Sequence, residues 1–178
     1  GESKSQESLD LCRKLEEILP KFDLVVVADY GHGMIGHDAV QLLCKESKFL
    51  AVNSQMNAGN LGFNTISKYP RADFICISEN ELRLEARSRR RDIRDIVIEV
   101  SKNLSCGRIV ITRGQDGCLC YDKDDGFFEV PALATEVVDR IGAGDAVLSI
   151  TALCAAQGAP MDIVGFIGNA LGAEAVVA

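Results

Sequence analysis

The residues best placed to do chemistry lie in one glycine-rich segment, Asp139 to Asp145, which precedes an apolar run. Gly142, Ala143 and Gly144 predict a turn that opens a helix, where unpaired backbone N–H groups meet the positive end of the helix dipole. Asp145 then either caps the helix or acts as a base. The second interpretation predicts that Asp145 takes a proton from a hydroxyl while the neighbouring N–H groups hold a transferring phosphoryl group.

The same segment resembles the signature of the ribokinase-like (PfkB) carbohydrate kinases, Asp-x-x-Gly-Ala-Gly-Asp before a helix of small residues. Three further segments are similar to that family in the same order, at residues 25–33, 72–82 and 109–117. The first of them, with its Asp-Tyr-x-x-Gly turn, resembles the heptose-phosphate kinase branch. The resemblance covers the chain from about Phe22 onward. It implies a cytoplasmic enzyme that uses ATP and Mg²⁺ to phosphorylate a hydroxyl of a sugar or sugar phosphate.

The resemblance also implies roles for the residues that match the family's motifs. Asp145 would be the catalytic base, and the Gly142–Gly144 turn would be the anion hole. Glu81 would act near magnesium, usually through water, and Asp139 would order the loop or a nearby monovalent cation. The full set is Thr112, Gly114, Gly117, Asn169 and Asp139 around the nucleotide, Glu81 near the metal, Asp29, Gly33 and Asn53 on the substrate side, and Asp145, Gly142, Ala143 and Gly144 at the reacting phosphoryl group.

The sequence departs from the family pattern at three points. Ser78 stands where the family has Asn, and Asn53-Ser54-Gln55 stands where the heptose-phosphate branch has Asp-Pro-Lys. The family's first strands, its Gly-Gly sugar-binding region and its small β lid are not recognisable before Phe22. We therefore expect residues 1–178 to be a single partial domain, the nucleotide-binding portion, from a fragment or a truncated relative. A homodimer is expected only of the full-length protein, since the lid often forms the subunit contact in the family.

Two other functions stay open at this point. Ser78 favours a non-catalytic nucleotide-binding or scaffolding module derived from a kinase fold. Glu79 and Glu81 would then have no metal to organise and would only stabilise a helix N-terminus. Gly31, Gly33 and Gly36 follow a strand with dinucleotide-binding spacing, which favours a nicotinamide dehydrogenase. Against that second alternative, Asp29 places a carboxylate where a pyrophosphate would sit, and no acidic residue ends the next strand.

Composition excludes several other classes. The net charge of −7 disfavours nucleic-acid binding, and the arginine cluster within residues 83–94 has no aromatic stacking platform. No apolar stretch is long enough for a membrane span, and the polar start does not resemble a signal peptide. The seven scattered cysteines indicate small buried side chains in a reducing cytoplasm, with Cys118 and Cys120 on one face of a strand.

Strands that alternate with helices predict an α/β fold with a mostly parallel sheet covered on both faces, here a ribokinase-like three-layer sandwich without its N-terminal strands and lid. Apolar runs predict strands at 22–28, 49–52, 74–77 and 108–112, and two short strands at 118–121 and 127–130 predict an antiparallel edge. Periodic apolar residues predict helices at 8–19, 38–45, 79–87, 92–104, 143–157 and 161–177. The carboxyl ends of the parallel strands should gather Asp29, Asn53, Ser78 and Thr112 at one edge, which the turn before Asp145 must also reach.

Overall fold

A computed structural model describes residues 2–31, 33–54, 66–132 and 143–168, without the side chains of residues 2–4 and 143–146. These residues form a six-stranded sheet in the order β1-β2-β3-β4-β5-β6. Strands β1 to β4 pair in parallel, whereas β5 pairs antiparallel with both β4 and β6, which confirms the predicted sheet with its antiparallel edge. The strands are β1 (Val25–Asp29), β2 (Leu50–Ser54), β3 (Phe74–Ser78), β4 (Arg108–Thr112), β5 (Cys118–Asp122) and β6 (Gly126–Val130).

The helices follow the predicted order with shifted ends. They are α1 (Glu2–Ile18), α2 (His37–Glu46), α3 (Glu79–Glu85), α4 (Ile93–Asn103) and α5 (Ala143–Ala156), and residues 161–168 are also helical. Pro20 lies in a single 3₁₀ turn after α1, as expected of a residue that cannot continue a helix. The part of the last predicted helix beyond residue 168 lies outside the described residues.

Helices cover both faces of the sheet, because strands buried on both sides need apolar cover on both sides. On one face, β-strand residues such as Val52 and Ile109 pack with Val40 of α2 and Val97 of α4. On the other, Ala51, Phe74, Cys76 and Val110 pack with Leu148, Ala152 and Ala155 of α5 and with Met161 and Val164. We call these sides the α4 face and the α5 face. The three layers agree with the predicted architecture.

None of the helices in the described part of the chain is both long and apolar enough to cross a membrane.

Candidate active site

The four parallel strands end at one edge of the sheet, which we call the carboxyl edge. The register pairs Asp29 with Ser54 and Ser78 with Thr112, so neighbouring strands end level with one another. The polar residues predicted at the strand ends are therefore gathered at this edge.

These residues lie on two different faces of the sheet, because successive side chains of a strand point to opposite sides. Ala51, Cys76 and Val110 belong to the α5-face core, so Asn53, Ser78 and Thr112, each two residues further on, point to the α5 face. Val27 belongs to the α4-face core, and Asp29 follows it on that side. The sequence did not separate Asp29 from the other three residues.

The first turn of α5 also lies at the carboxyl edge. The carbonyl of Ala155, near the end of α5, accepts a hydrogen bond of 2.8 Å from Arg108, the first residue of β4. Thr151 lies within hydrogen-bonding reach of Cys76, in the middle of β3. The helix thus runs against the parallel strands, and its start lies about 12 Å from Thr151. Ser78 is only about 7 Å beyond Cys76 along its strand, so α5 begins at the carboxyl edge.

Only part of the glycine-rich segment from Asp139 to Asp145 lies within the described residues. Ala143, Gly144 and Asp145 form the first turn of α5, as their helical backbone shows. Gly142, Asp139 and Asn169 lie outside the described residues, as does the carboxyl group of Asp145. The backbone of this turn lies at the carboxyl edge, on the α5 face, which also carries Asn53 and Thr112.

The turn after β4 is held against the end of β6. Arg113 N–H donates to the Gly117 carbonyl at 2.8 Å, and Gly117 N–H donates to the Gly114 carbonyl at 3.1 Å. Gly117 has a φ of 81°, and a Cβ there would lie 2.0 Å from the Val130 carbonyl oxygen. Gly114 has a φ of 57°, yet no heavy atom of the described residues lies within 4 Å of a Cβ at that position. Gly117 is thus required by packing, whereas Gly114 leaves open backbone against which a ligand can lie.

Ser78 and Glu81 mark the start of α3. The Ser78 hydroxyl accepts a hydrogen bond of 3.2 Å from the Glu81 N–H, so Ser78 is the N-cap. Glu79 forms ion pairs with Arg83 at 3.5 Å and with Arg113 at 3.8 Å. Glu81 is half-buried just beyond the carboxyl edge. Within the described ranges, no cluster of three or more His, Cys, Asp or Glu side chains could hold a metal ion by itself.

Asp29 is the centre of a buried polar cluster on the α4 face. Asp29 is 3% exposed, and its side chain accepts hydrogen bonds from the Tyr69 hydroxyl at 2.7 Å and from the Gly31 N–H at 3.0 Å. It also forms an ion pair with Lys68, whose ammonium group donates to the Ile35 carbonyl at 3.3 Å. Burial raises the pKa of Asp29, but the bonds from Lys68, Tyr69 and Gly31 outweigh it and leave that pKa below its usual value.

This cluster bears on the dinucleotide alternative. The first N–H of the glycine-rich turn, that of Gly31, is bound to the Asp29 carboxylate and cannot donate to a pyrophosphate at the same time. Gly33 has a φ of 78° and open surroundings within the described residues, and α2 begins at His37 after the N-cap Gly36. The Asp29 carboxylate, and not the phosphate of a ligand, is therefore the anion that the first N–H of this turn binds.

Replacing Asp29 by Asn should lower the free energy of unfolding at pH 7 by roughly 1–3 kcal/mol, because Lys68 loses its buried partner. Folding lowers the pKa of Asp29, so its contribution is complete above the unfolded-state pKa of about 3.9 and is lost as pH falls through the folded-state pKa. Urea unfolding at several pH values should show the gap between wild type and variant narrowing in acid. Asp23→Asn, which breaks an exposed pair with Lys48, should leave stability unchanged. Equal losses in both variants would contradict this account.

Asn53 has a different environment from Asp29. Asn53 is 7% exposed and points to the α5 face, and its Oδ1 has no hydrogen-bond partner among the described residues. A buried acceptor without a donor is costly, so a hydroxyl or a bound water at this position would satisfy it. The carboxyl edge thus holds, on the α5 face, one buried acceptor that no described group satisfies.

Sequence reasoning missed Lys68 and Tyr69. They lie in and directly after the 3₁₀ turn Ile66–Lys68, outside every predicted strand and helix. Their partner Asp29 is about 40 residues away in the chain, so no local pattern connects them.

A model of the pfkB family of carbohydrate kinases matches residues 3–177. The bifunctional protein HldE of Paramagnetospirillum magneticum is 31% identical over 163 residues, which are 89% of this chain and 33% of that protein. HldE of Citrifermentans bemidjiense is 27% identical over 158 residues, which are 87% of this chain and 32% of that protein. The chain therefore spans about a third of the length of these curated relatives.

Solved structures show the same fold. Phosphofructokinase-2 from Escherichia coli in complex with potassium matches with a TM-score of 0.76 at 18% identity, over 94% of this chain and 56% of that one. Ribokinase of Arabidopsis thaliana, complexed with ribose and ATP, matches with a TM-score of 0.70 at 16% identity, over 93% of this chain and 53% of that one.

Proposed function

The chain belongs to the pfkB family of carbohydrate kinases, and we propose that it carries the phosphoryl-transfer part of an ATP-dependent sugar kinase site. The acceptor would be a hydroxyl of a sugar or sugar phosphate. The observation that carries this proposal is the start of α5 at the carboxyl edge, on the same face as Asn53, Ser78 and Thr112. Ligands of open α/β sheets bind beyond the carboxyl ends of the strands.

Asp145 is the proposed general base. In the first turn of α5 its carboxylate would accept the proton of the attacking hydroxyl, which makes that oxygen a better nucleophile. The backbone N–H groups of Gly142, Ala143 and Gly144 would stabilise the negative charge on the transferring phosphoryl group. These N–H groups would need little reorganisation during the reaction, because the helix fixes the direction of its free donors.

The nucleotide side is proposed to lie along the turn after β4. Gly114 leaves its backbone open to a ligand, and Gly117 holds the turn against β6, with Thr112 at the end of the strand. Asn169 would lie beside the heterocyclic base of the nucleotide. Asp139 would order the loop or a monovalent cation, in keeping with the potassium complex of phosphofructokinase-2.

The acceptor side is proposed to include Asn53, Asp29 and Gly33 in different ways. Asn53 would accept a hydrogen bond from a sugar hydroxyl through its buried Oδ1. The carboxylate of Asp29 is bound to Lys68, Tyr69 and Gly31, so Asp29 would shape the neighbouring turn rather than contact the sugar. Gly33 would offer that turn's open backbone. We also propose that the full-length protein is a homodimer.

Magnesium fits the residues at this edge. Mg²⁺ prefers oxygen ligands, keeps several waters and commonly uses only one or two carboxylates together with substrate phosphates. Glu81 would hold it, through water, and the ion would supply positive charge to the phosphates when bound. The Glu79 carboxylate forms ion pairs with Arg83 and Arg113, so Glu79 serves as the comparison residue for Glu81.

Replacing Glu81 by Gln should raise the Mg²⁺ concentration needed for half-maximal ADP release by about 10- to 100-fold, the usual cost of losing a carboxylate that orients metal-bound water. Glu79→Gln is the matched control, two residues away on the same helix, and should leave the Mg²⁺ requirement unchanged. Titration of initial rates with Mg²⁺ at fixed ATP measures both. A shared shift, or none in Glu81→Gln, would remove Glu81 from the metal site.

A nucleotide-binding module without catalysis is the second candidate. It is favoured by Ser78, whose hydroxyl is used to cap α3. Amide hydrogen exchange with and without Mg·ADP tests the shared part of both candidates. Protection at residues 112–117 and in the first turns of α5 would support a nucleotide site at the carboxyl edge. Protection confined to residues 31–36 would contradict it and restore the dinucleotide alternative.

A further inference from the structure

A chain of alternating charges lies on the α4 face near the carboxyl edge. Its central member is Arg113, the residue that follows β4. The Arg113 guanidinium lies between two carboxylates, with its Nε 3.8 Å from Glu79 of α3 and its Nη1 3.8 Å from Glu129 of β6. Each carboxylate has a second cationic partner at 3.5 Å, Arg83 for Glu79 and Arg94 for Glu129. We call these five residues the charge network.

The charge network ties the turn after β4 to two neighbouring elements. The Arg113 side chain is 25% exposed, and its Nε atom is buried without a hydrogen bond among the described residues. A buried donor without an acceptor is costly, so the attraction of the two carboxylates offsets the cost of holding the guanidinium there. Because the carboxylates belong to different elements, loss of Glu79 alone leaves Arg113 paired with Glu129.

The backbone of Arg113 closes the turn along which the nucleotide is proposed to lie. Its N–H donates to the Gly117 carbonyl at 2.8 Å, and its carbonyl accepts from the Asp116 N–H at 3.1 Å. Gly117 is fixed by its packing against β6, whereas Gly114 has open surroundings within the described residues. Glycine has more backbone freedom than any other residue. The orientation of Gly114 therefore depends on the residue before it, which is anchored through its side chain.

We infer that Arg113 is a positioning residue for the nucleotide, because its side chain anchors the turn with the open backbone of Gly114 towards the ligand. The inference rests on the nucleotide site proposed above. The Arg113 side chain lies on the α4 face with Glu79 and Glu129, whereas Thr112 before it points to the α5 face. Arg113 thus acts through the turn and not by contact with the nucleotide.

Arg113→Met tests this role, because it keeps an unbranched aliphatic stem and removes the charge. An apparent dissociation constant rises as the binding-competent fraction falls, so a turn that is competent for about a tenth of the time binds about tenfold more weakly. We expect a loss of that size in Mg·ADP affinity, measured on the full-length gene product. In sugar-dependent ADP release, KM for ATP should rise and kcat should stay unchanged, because the bound nucleotide restores the turn.

Arg94→Met is the matched control at the end of the charge network. Arg94 shares Glu129 with Arg113 and lies 5.4 Å from the centre of the Phe127 ring, but it does not touch the turn. Its replacement leaves Arg113 with both carboxylates, so Mg·ADP affinity should stay at the wild-type value. Arg113→Lys keeps the positive charge and should recover part of the affinity that Arg113→Met loses.

Amide hydrogen exchange separates an anchored turn from a general loss of stability. In Arg113→Met without nucleotide, exchange should be faster in residues 113–117 and should slow again when Mg·ADP binds. Protection of the central strand β3 should match the wild type. Faster exchange throughout the sheet would mean that Arg113 only stabilises the fold, and would overturn the inference. If Arg113→Met does not fold, Arg113→Lys is compared with the wild type in the same measurements.

Two outcomes of the binding measurement contradict different claims. If the wild type binds Mg·ADP and Arg113→Met binds it equally well, the role of Arg113 is overturned and the nucleotide site stands. If the wild type does not bind Mg·ADP, the proposed nucleotide site fails, and the inference that rests on it fails with it.

Discussion

Replacing Asp145 by Asn should lower sugar-dependent ADP release by about 10²- to 10⁴-fold, the usual contribution of a positioned general base. The amide cannot accept the proton of the attacking hydroxyl, although it can occupy the same space in the first turn of α5. Nucleotide affinity should be preserved or increased, because a negative charge beside an anion site is removed. Initial rates and equilibrium binding of Mg·ADP, measured on the full-length gene product, give the two quantities separately.

The matched control for this change is Asp38→Asn. Asp38 is an exposed acidic residue in the first turn of α2, so the same substitution alters a helix N-terminus away from the proposed site. It should leave turnover unchanged. Asp145 would lose its role as the base if Asp145→Asn kept its turnover, or if both variants lost the same fraction.

Replacing Gly117 by Ala should lower the free energy of unfolding by roughly 2–5 kcal/mol. The left-handed φ of 81° is one part of this cost. The larger part is steric, because the added Cβ would lie 2.0 Å from the Val130 carbonyl oxygen and 2.7 Å from the Ala132 nitrogen, which are backbone atoms that cannot rotate away. Urea unfolding followed by circular dichroism measures the loss.

Gly114→Ala is the matched control three residues earlier in the same turn. Its φ of 57° also disfavours a side chain, but no described atom lies within 4 Å of the added Cβ. The loss of stability should be only about 1 kcal/mol. Mg·ADP affinity should fall in this variant, since the methyl group would occupy the open backbone proposed for the nucleotide. A loss of stability as large as that of Gly117→Ala would contradict the distinction between the two glycines.

The sheet could be predicted from sequence because its signals are local. Strand β4 (Arg108–Thr112) has the predicted bounds, since a short run of Ile and Val between polar residues has few other stable conformations. The antiparallel pair β5 and β6 was predicted as two short strands, and Gly126, the first residue of β6, has a φ of 88° that suits glycine. The predicted start of α1 at residue 8 was late, because the helix begins at Glu2 with polar residues that carry no apolar periodicity.

The site could be predicted less completely, because its geometry depends on distant partners. Family motifs marked Asn53, Thr112 and Asp29, but only the strand alternation shows that Asp29 points to the opposite face. The capping role of Ser78 did have a local signal, the Ser-x-x-Glu spacing to Glu81 that is typical of a capping box. The orientation of α5, set by tertiary contacts such as that of Arg108 with Ala155, had no such signal.

The most direct test of the kinase proposal is ADP release by the full-length gene product with Mg·ATP and a panel of sugars and sugar phosphates. The proposal predicts that at least one of them raises ADP release well above the rate with ATP alone, and that this increase is lost in Asp145→Asn. Binding of Mg·ADP at the carboxyl edge, without sugar-dependent release by any member of the panel, would contradict it and leave the non-catalytic module as the function.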